Sequence, residues 1–320
     1  MDKIFKFEPH YFERVWGGQA FKDILGRNIH GKQNLGESWE IVDREDCQSV
    51  LIHPNRGTTT LRELLKYNHL NLMGPGWNMT DKFPILVKWL DCHERLSLQV
   101  HPPESIAATL SGEPKTENWY VAHASKEAGL YVGLKSGTSK QDFMSALMEK
   151  NLQSVCHRIN SCKGDSILVE SGRLHAIDGG NLILEIQQNS DTTYRVYDWE
   201  RVDEDGCSRK LHIEESLKCI NFNDFEPDVI SQDHSPVQIL AESSAFRIRK
   251  FTVDKPMTIN LKKVKEQCMI LNPLFTDIIV GSEPIYSGTL AISPFSEKCQ
   301  VCFKEPGELI VTDNFFIPQK

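Results

Sequence analysis

Most of the chain alternates between hydrophobic and polar residues with a period of two, the pattern that predicts β-strands. The strand-like runs are short and rich in β-branched, aromatic and aliphatic residues, and they are separated by Gly, Pro, Asn and Asp, which favour turns. The clearest runs are residues 36–43, 83–91, 118–124, 128–134, 165–171, 181–188 and 192–199. Many short strands at this spacing predict a mainly β fold, either a sandwich or a barrel.

Helical periodicity is confined to a few segments. The strongest prediction is a helix over 139–159, which opens with Ser139 and Asp142 in capping-box positions. A second helix is predicted at 59–67. Shorter helices are predicted at 104–112, behind the Pro102-Pro103 pair, and at 212–222. The helices are therefore expected to be insertions in a β framework.

The length and one polar stretch predict two domains. At about 150 residues per domain, 320 residues suggest roughly two. Residues 225–245 are polar, contain two prolines, and read as a linker or an irregular crossover. We predict a larger domain over 1–235, with helical insertions at about 59–73 and 139–160, and a smaller β domain over 236–320.

Composition excludes several classes of function. The net charge of −8 and the absence of a basic stripe argue against a nucleic-acid partner. No run approaches the roughly 18 apolar residues that span a bilayer, so no membrane role is expected. Nine scattered cysteines argue for a reducing cytosol and hence a cytoplasmic protein. Cys299 and Cys302 would lie on opposite faces of a strand, which argues against a redox or metal motif there.

The first candidate site lies in the stretch LSLQVHPPE, residues 96–104. With a period of two, Ser97, Gln99 and His101 point to one face, and the intervening Leu96, Leu98 and Val100 point to the other. The polar face offers an amide oxygen and an imidazole, both possible metal ligands. On this stretch alone, a half-solvated strand that simply meets water is the commoner alternative.

Two further segments strengthen the metal interpretation. Glu117 opens the next strand-like run, with Lys115 two residues earlier, and His175 follows a turn that contains Gly164 and Gly172. Two histidines and one glutamate suit Zn²⁺ or Fe²⁺, with Gln99 and water available for the remaining positions. The histidines that we expect to be structural are His10, His30, His53, His93, His123, His157 and His212.

Six motifs together resemble the type I mannose-6-phosphate isomerases, in their small bacterial form. They are VWGG (15–18), GESWEI (36–41), LVKWLDCHERLSLQVHP (86–102), KTENWYV (115–121), GRLHAI (172–177) and LEIQQNSDTTYRVYDW (184–199). The resemblance is dense from the N-terminus to the region of Ile220 and weaker beyond Leu240. It implies cupin (jelly-roll) β-barrels, two in number, with a few helices.

The resemblance also implies roles for individual residues. The family's zinc ligands match Gln99, His101, Glu117 and His175, and Gln99 is the position that small bacterial members can leave to water. The family's substrate-binding and catalytic positions match Ser97, Lys115, Glu185, Asp191 and Arg195. Two departures stand out. Ile177 replaces a tyrosine of the larger fungal and animal members, and Glu170 replaces the proline of the general cupin motif.

The implied activity is the interconversion of mannose 6-phosphate and fructose 6-phosphate through a cis-enediolate, with one Zn²⁺ per chain. Such a reaction needs a base, and Glu185, Asp191 and a zinc-bound hydroxide all remain open. It also needs cations for the sugar phosphate, which Lys115 and Arg195 can supply. Arg195 alternates with Thr193 and Tyr197, so we expect these three to share the cavity face, although spacing alone favours an ion pair of Arg195 with Asp191 or Asp198.

Two other classes of function are compatible with parts of this pattern. An Fe²⁺ dioxygenase would use two histidines and a carboxylate, but its carboxylate usually follows an H-x-H pair closely. Here Gln99 occupies the first position of that pair, and Glu117 follows His101 only after the two prolines and a predicted short helix. A non-catalytic sugar-binding cupin would not need an intact ligand set, and here every position is filled. The expected assembly is a monomer or a homodimer.

Overall fold

The structure is a computed structural model, which describes residues 4–29, 31, 33–52, 58–202, 206–261 and 267–315. The strands are β1 (Phe5–Glu8), β2 (His10–Gly18), β3 (Leu35–Ile41), β4 (Val50–Leu51), β5 (Ile85–Cys92), β6 (Leu98–Val100), β7 (Glu117–Ala124), β8 (Gly129–Leu134), β9 (Cys156–Asn160), β10 (Ser166–Val169), β11 (His175–Ile177), β12 (Asn181–Gln188), β13 (Tyr194–Tyr197), β14 (Val237–Glu242), β15 (Arg247–Val253), β16 (Met257–Leu261), β17 (Met269–Leu274), β18 (Ile278–Val280), β19 (Glu283–Ile285), β20 (Ala291–Ser293), β21 (Cys299–Phe303) and β22 (Gly307–Asp313). The α-helices are α1 (Ala20–Asp23), α2 (Leu61–Leu72), α3 (Glu104–Ala107), α4 (Lys140–Met148) and α5 (Ile213–Cys219), and short 3₁₀ turns cover Ala108–Leu110 and Leu152–Ser154.

The prediction of a mainly β fold with a few helices is confirmed. The chain divides into two compact units, one of residues 1–10, 38–88 and 233–320 and the other of residues 11–37 and 89–232. The first unit thus groups 38–88 with the C-terminal segment, whereas the sequence placed them in the N-terminal domain. The boundary at 235/236 and the presence of two closed barrels stay predictions.

The unit of residues 11–37 and 89–232 contains every candidate site residue. One of its sheets has the strand order β13-β6-β11-β8-β9. Strands β10, β7 and β12 are neighbours at one end of a six-stranded sheet, whose order continues β5-β3-β2. All the registered strand pairs of the two sheets are antiparallel. Alternate residues along each strand therefore point to opposite faces of the sheet, and the two faces contact different sets of side chains.

Two apolar clusters cover the two faces of these strands. We call the first the inner cluster; it includes Trp119 and Val121 of β7, Ile167 and Val169 of β10, Val132 of β8 and Ile177 of β11. We call the second the outer cluster; it includes Leu98, Val100 and Ala176, with Phe143 of α4 and Cys219 of α5 packed against them. The side chains that alternate with Leu98, Val100 and Ala176 therefore face the inner side.

The other unit is built from two antiparallel sheets, with strand orders β14-β15-β22-β17-β20-β1-β4 and β16-β21-β18-β19. A core of buried aliphatic and aromatic side chains lies between them, including Leu271, Val301, Phe303 and Val311. Cys299 belongs to this core, while Cys302 is half-buried. Their different burial agrees with the expectation that they occupy opposite faces of β21.

The predicted helix over 139–159 is right at its start and wrong at its end. Ser139 and Asp142 form a complete capping box, and α4 begins at Lys140. It ends at Met148, because Lys150 adopts a left-handed conformation with φ of 56°. Residues 156–160 form β9, which pairs with β8. The apolar spacing of this short segment fits a strand as well as a helix, and strand pairing decides between them.

The other helix predictions hold with small shifts. Residues 61–72 form α2, which begins with a capping box of Thr60 and Glu63. Helices α3 and α5 lie within the predicted segments 104–112 and 212–222.

The predicted linker over 225–245 is irregular only in part, because Val237–Glu242 forms β14. No helix within the described ranges is both long enough and apolar enough to cross a bilayer.

Candidate metal centre

Three candidate residues form one row across neighbouring strands. In the antiparallel registers, Gln99 of β6 lies directly opposite His175 of β11 on one side and opposite Arg195 of β13 on the other. Directly opposed residues share a face of the sheet. Since Leu98 and Val100 belong to the outer cluster, this row faces the inner side. Gln99 therefore lies on the predicted polar face, and strand pairing places His175 and Arg195 beside it.

A glycine turn brings the end of β6 to the strand that carries His175. Gly172 has φ of +92°, a conformation that glycine adopts without steric cost. Its amide donates a hydrogen bond to the carbonyl of His101 at 2.9 Å. The turn thus ties the backbone of His101 to a position three residues before His175.

Glu117 comes to the same place from the other sheet. It begins β7, where it pairs with Val169 of β10 and with Gln187 of β12. Val169 belongs to the inner cluster, so Glu117 faces the same inner side. The ammonium group of Lys115 lies 2.8 Å from Glu117 Oε2, and both side chains are buried.

His101, Glu117 and His175 offer three ligand atoms that all lie within 4.8 Å of one another, and all three residues are buried. Nε2 of His101 lies 3.3 Å from Glu117 Oε2, and Nε2 of His175 lies 3.6 Å from Glu117 Oε1. The two imidazole centroids are 4.7 Å apart. These three residues could hold a metal ion.

The distal nitrogens of both histidines fix the direction of the ligand atoms. Nδ1 of His101 donates to the carbonyl of Thr192 at 2.9 Å, and Nδ1 of His175 donates to the carbonyl of Arg173 at 2.8 Å. With the proton on Nδ1, each Nε2 presents a lone pair to the cluster. Both Nε2 atoms and Glu117 Oε1 are buried without a hydrogen-bond partner in the part of the chain that the structure describes.

Burial and the local charges keep this cluster in the protonation states that a metal requires. Burial, together with the proximity of His101, lowers the pKa of His175 to about 3, and burial and Lys115 lower the pKa of His101. Burial alone would raise the pKa of Glu117, but Lys115 and His101 hold it well below the usual range. Both imidazoles are therefore neutral and Glu117 is ionised at neutral pH.

Lys115 remains a cation despite its burial. Burial opposes its charge, but Glu117, Glu185 and Asp191 together raise its pKa above the usual value. Asp191 itself is exposed, in the loop between β12 and β13. Lys115 is thus placed among the three acidic residues that the sequence assigned to this region.

Glu185 lies on the inner face, where a tryptophan holds it. It pairs with Trp119 in the register of β12 and β7, and its Oε2 accepts a hydrogen bond from the indole Nε1 at 3.1 Å. The same indole meets His175 edge-on, with ring centroids 5.3 Å apart. Trp119 therefore touches both a candidate ligand and the candidate base.

Arg195 is anchored by backbone groups. Its Nη1 donates to the carbonyl of Lys210 at 2.8 Å, and its own amide donates to Nδ1 of His212 at 3.2 Å. Asp198, a predicted ion-pair partner, instead binds Arg209. Nε of Arg195 is buried and has no hydrogen-bond partner among the described residues. Burial, followed by Arg209, lowers the pKa of Arg195.

Two expectations about side-chain direction are wrong. Leu96 precedes β6 and packs in the inner cluster, so it does not share a face with Leu98 and Val100. A register shift between Arg195 and Tyr197 breaks the alternation along β13, and Tyr197 packs in the outer cluster. Irregular backbone is responsible in both cases, because period-two alternation holds only within a regular strand.

The remaining expected positions are placed as follows. Ser97 is buried immediately before β6, and Ile177 packs in the inner cluster, where the larger family members have a tyrosine. Of the histidines expected to be structural, His30 and His53 lie outside the described residues, and His10 and His212 bond to backbone groups.

Sequence reasoning missed Trp119, Thr192 and Gln187. Trp119 could have been found, since it lies two residues after Glu117 and so shares its face. Thr192 acts through its carbonyl, which carries no sequence signal. Gln187 is buried directly opposite Glu117, and only the pairing of β12 with β7 places it there.

Known proteins that this chain resembles carry the same name, mannose-6-phosphate (phosphomannose) isomerase. A family model described as the catalytic domain of phosphomannose isomerase type I matches residues 4–127. Mannose-6-phosphate isomerase ManA of Bacillus subtilis is 33% identical over 293 residues, which cover 91% of this chain and 90% of that protein. Mannose-6-phosphate isomerase of Streptococcus mutans is 34% identical over 245 residues, covering 75% of this chain and 76% of that protein.

Solved structures agree in fold. The crystal structure of mannose 6-phosphate isomerase from Bacillus subtilis superimposes with a TM-score of 0.83 at 27% identity, covering 97% of this chain and 99% of that one. A mutant of phosphomannose isomerase from Salmonella typhimurium shares the fold, with a TM-score of 0.76 at 13% identity over 98% of this chain and all of that one. Given a relative one-third identical across nine-tenths of both proteins, the chain belongs to the type I mannose-6-phosphate isomerases.

Proposed function

We propose that the protein interconverts D-mannose 6-phosphate and D-fructose 6-phosphate, with one Zn²⁺ per chain held by His101, Glu117 and His175. The observation that carries the proposal is the buried cluster of two neutral imidazoles and one carboxylate, with unpartnered atoms facing one another. The relatives named as mannose-6-phosphate isomerases support the choice of substrate.

The donor set and its spacing fit zinc. Nitrogen and oxygen ligands lie about 2.0–2.2 Å from zinc, which in a tetrahedral site places the ligand atoms about 3.3–3.6 Å from one another. The two nitrogen–oxygen distances, one to each oxygen of Glu117, are 3.3 and 3.6 Å, and all three ligand atoms lie within 4.8 Å of one another. Backbone carbonyls bind the distal nitrogens of both histidines, as is usual for metal-bound imidazoles. We propose Gln99, opposite His175, as a further ligand.

A bound Zn²⁺ supplies Lewis-acid stabilisation of the negative charge that develops on the sugar oxygens. The side chains of the protein transfer the proton and bind the substrate. Isomerisation moves a proton between C1 and C2, so one base that can reach both carbons is sufficient. We assign this role to Glu185, whose carboxylate is buried on the inner face and oriented by the indole of Trp119.

We assign Lys115 and Arg195 to binding the negatively charged sugar phosphate through its oxygens. Lys115 is held as a buried cation beside Glu117. Arg195 lies two strands from His175 in the same row, a backbone separation of about 10 Å at about 4.8 Å per strand. A sugar whose C1 and C2 lie beside His175 could therefore extend its phosphate towards Arg195. Ser97 and Asp191 are assigned to substrate hydroxyls on the basis of family resemblance.

The proposal includes a cellular setting and a role for the second unit. All nine cysteines are present as thiols, which supports a reducing cytoplasm.

Only one cluster of three potential ligand side chains occurs among the described residues. We therefore propose a structural role for the β domain of residues 236–320, and a monomer or homodimer as the assembly.

The test is a coupled assay that follows fructose 6-phosphate formed from mannose 6-phosphate by zinc-replete enzyme. Turnover is expected, and its absence would refute the proposal. The Glu185→Gln variant tests the base: it should retain zinc and lose turnover by at least a hundredfold. A zinc-loaded Glu185→Gln variant with wild-type turnover would exclude Glu185. Stoichiometric iron with oxygen consumption in the wild-type protein would favour the dioxygenase class instead.

A further inference from the structure

Gln187 is a buried amide beside a proposed ligand. It lies on β12 directly opposite Glu117 of β7, and its side chain is fully buried. Directly opposed residues in an antiparallel pair have Cβ atoms about 4.5–5.5 Å apart on the same face. The adjacent pair on this face, Glu185 and Trp119, is hydrogen-bonded, which confirms that the register brings side chains together.

Both donor hydrogens of this amide are occupied by backbone carbonyls. Nε2 donates to the carbonyl of Gln188 at 2.8 Å and to the carbonyl of Ser190 at 2.5 Å. These two bonds fix the orientation of the amide. They also hold the start of the loop that connects β12, which ends at Gln188, to β13, which begins at Tyr194.

That loop continues to the acceptor of a proposed ligand. The hydroxyl of Ser190 donates to the carbonyl of Glu113 at 3.2 Å and accepts from the amide of Thr192 at 3.2 Å. The amide of Glu113 donates to the hydroxyl of Thr192 at 3.0 Å. The carbonyl of Thr192 then accepts from Nδ1 of His101. A short series of hydrogen bonds therefore leads from Gln187 to His101.

The oxygen of Gln187 is a further buried acceptor at this end of β12. Oε1 is buried and has no hydrogen-bond partner within the ranges that the structure covers. A buried acceptor left unsatisfied is unfavourable. Glu117 Oε1 and both histidine Nε2 atoms are also unpartnered acceptors within the described ranges, so the cluster of His101, Glu117 and His175 favours a bound cation over an empty centre.

We propose that Gln187 is a positioning residue of the metal centre. Its anchored amide holds the loop of residues 188–192, whose Thr192 carbonyl sets the tautomer and ring orientation of His101. This inference rests on the proposed function, because it presupposes that His101 is a metal ligand. Residues in this outer position affect metal affinity without touching the metal.

The test measures Zn²⁺ affinity by chelator competition in the wild type and in Gln187→Met, a change that nearly keeps the volume and removes the amide. Loss of the direct outer partner of a ligand typically weakens metal binding by about 10- to 100-fold. Gln187 acts on His101 through Ser190 and Thr192, so we expect a weakening at the low end of that range, about 10-fold. The ¹⁵N signals of His101 in the metal-free protein should also change, because its tautomer would no longer be fixed. A merely structural role would leave that spectrum unchanged.

A matched control is available in the other compact unit. Gln267 is also buried and bonded to backbone: its amide nitrogen donates to the carbonyl of Phe315, and its oxygen accepts from the amide of Phe315. Gln267→Met should lower stability and leave zinc affinity unchanged. If Gln187→Met does not fold, Ser190→Ala cuts the next link and should weaken zinc binding several-fold.

The possible failures are distinguishable. Wild-type zinc affinity in folded Gln187→Met, or in Ser190→Ala, overturns the role of Gln187 alone. A wild-type protein that binds no zinc overturns both this inference and the proposed function. A wild-type protein that binds zinc without isomerising mannose 6-phosphate refutes only the proposed function, and the affinity comparison still decides the role of Gln187.

Discussion

The buried, neutral state of His175 should make the metal-free protein sensitive to mild acid. The folded protein holds this imidazole in the interior, where burial and then His101 lower its pKa to about 3. In the unfolded chain the imidazole has its ordinary pKa of about 6.5. The unfolded state therefore binds more protons between these two values, and stability must fall as the pH falls from 6.5 towards 3.

The size of the effect follows from the two pKa values. Each unit of pKa difference corresponds to about 1.4 kcal/mol once the pH is below both values. At pH 5 only the interval from 6.5 to 5 contributes, so His175 should lower the free energy of unfolding by about 2 kcal/mol relative to pH 7. The lowered pKa of Glu117 also makes stability fall as the pH falls, but mainly below about 4.3, the ordinary pKa of a glutamate.

The assay is urea denaturation of chelator-treated protein at pH 7 and pH 5, for the wild type and for His175→Gln. Because glutamine does not titrate, the variant should lose about 2 kcal/mol less between the two pH values than the wild type. His157→Gln, at a half-buried position of β9 outside the cluster, is the control and should behave as the wild type does. Equal pH dependence in the wild type and in His175→Gln would refute the claim that His175 is buried and neutral.

Three further outcomes follow from the contacts. Trp119→Phe removes the hydrogen bond to Glu185 and should lower kcat about 10- to 100-fold at unchanged zinc content; unchanged kcat would contradict a role for the indole. Ser139→Ala removes the cap of α4 and should cost about 1 kcal/mol in urea denaturation, whereas Ser145→Ala inside the helix should change stability by less than about 0.5 kcal/mol. Arg195→Met should retain zinc and raise KM for mannose 6-phosphate about 10- to 100-fold, the value of a charge-assisted hydrogen bond; unchanged KM would remove Arg195 from the substrate site.

The candidate site was predictable from sequence to the extent that it depends on local alternation. Gln99 and His101 follow from the period of two, and Glu117 and His175 follow from motifs at the ends of strands. Their meeting depends on strand pairing, which places Gln99 opposite His175 although the two are far apart in the sequence. Family resemblance supplied that information, and periodicity alone could not.

The errors have a common physical origin in irregular backbone. The register shift in β13 separates Tyr197 from Arg195, and the left-handed Lys150 ends α4 early. Gln187 was missed for a related reason: its proposed role depends on backbone carbonyls in a loop, and carbonyls are present at every residue. Side-chain patterns identify the proposed metal ligands, whereas the groups that orient them are visible only in the folded structure.

The most direct test of a zinc centre at His101, Glu117 and His175 is a titration of chelator-treated enzyme with Zn²⁺ that records bound metal and mannose 6-phosphate turnover together. We predict that turnover rises in proportion to bound zinc and saturates at one ion per chain, and that His175→Ala shows neither tight binding nor turnover. Full turnover in the metal-free enzyme, or zinc binding and turnover unaffected by His175→Ala, would contradict the account.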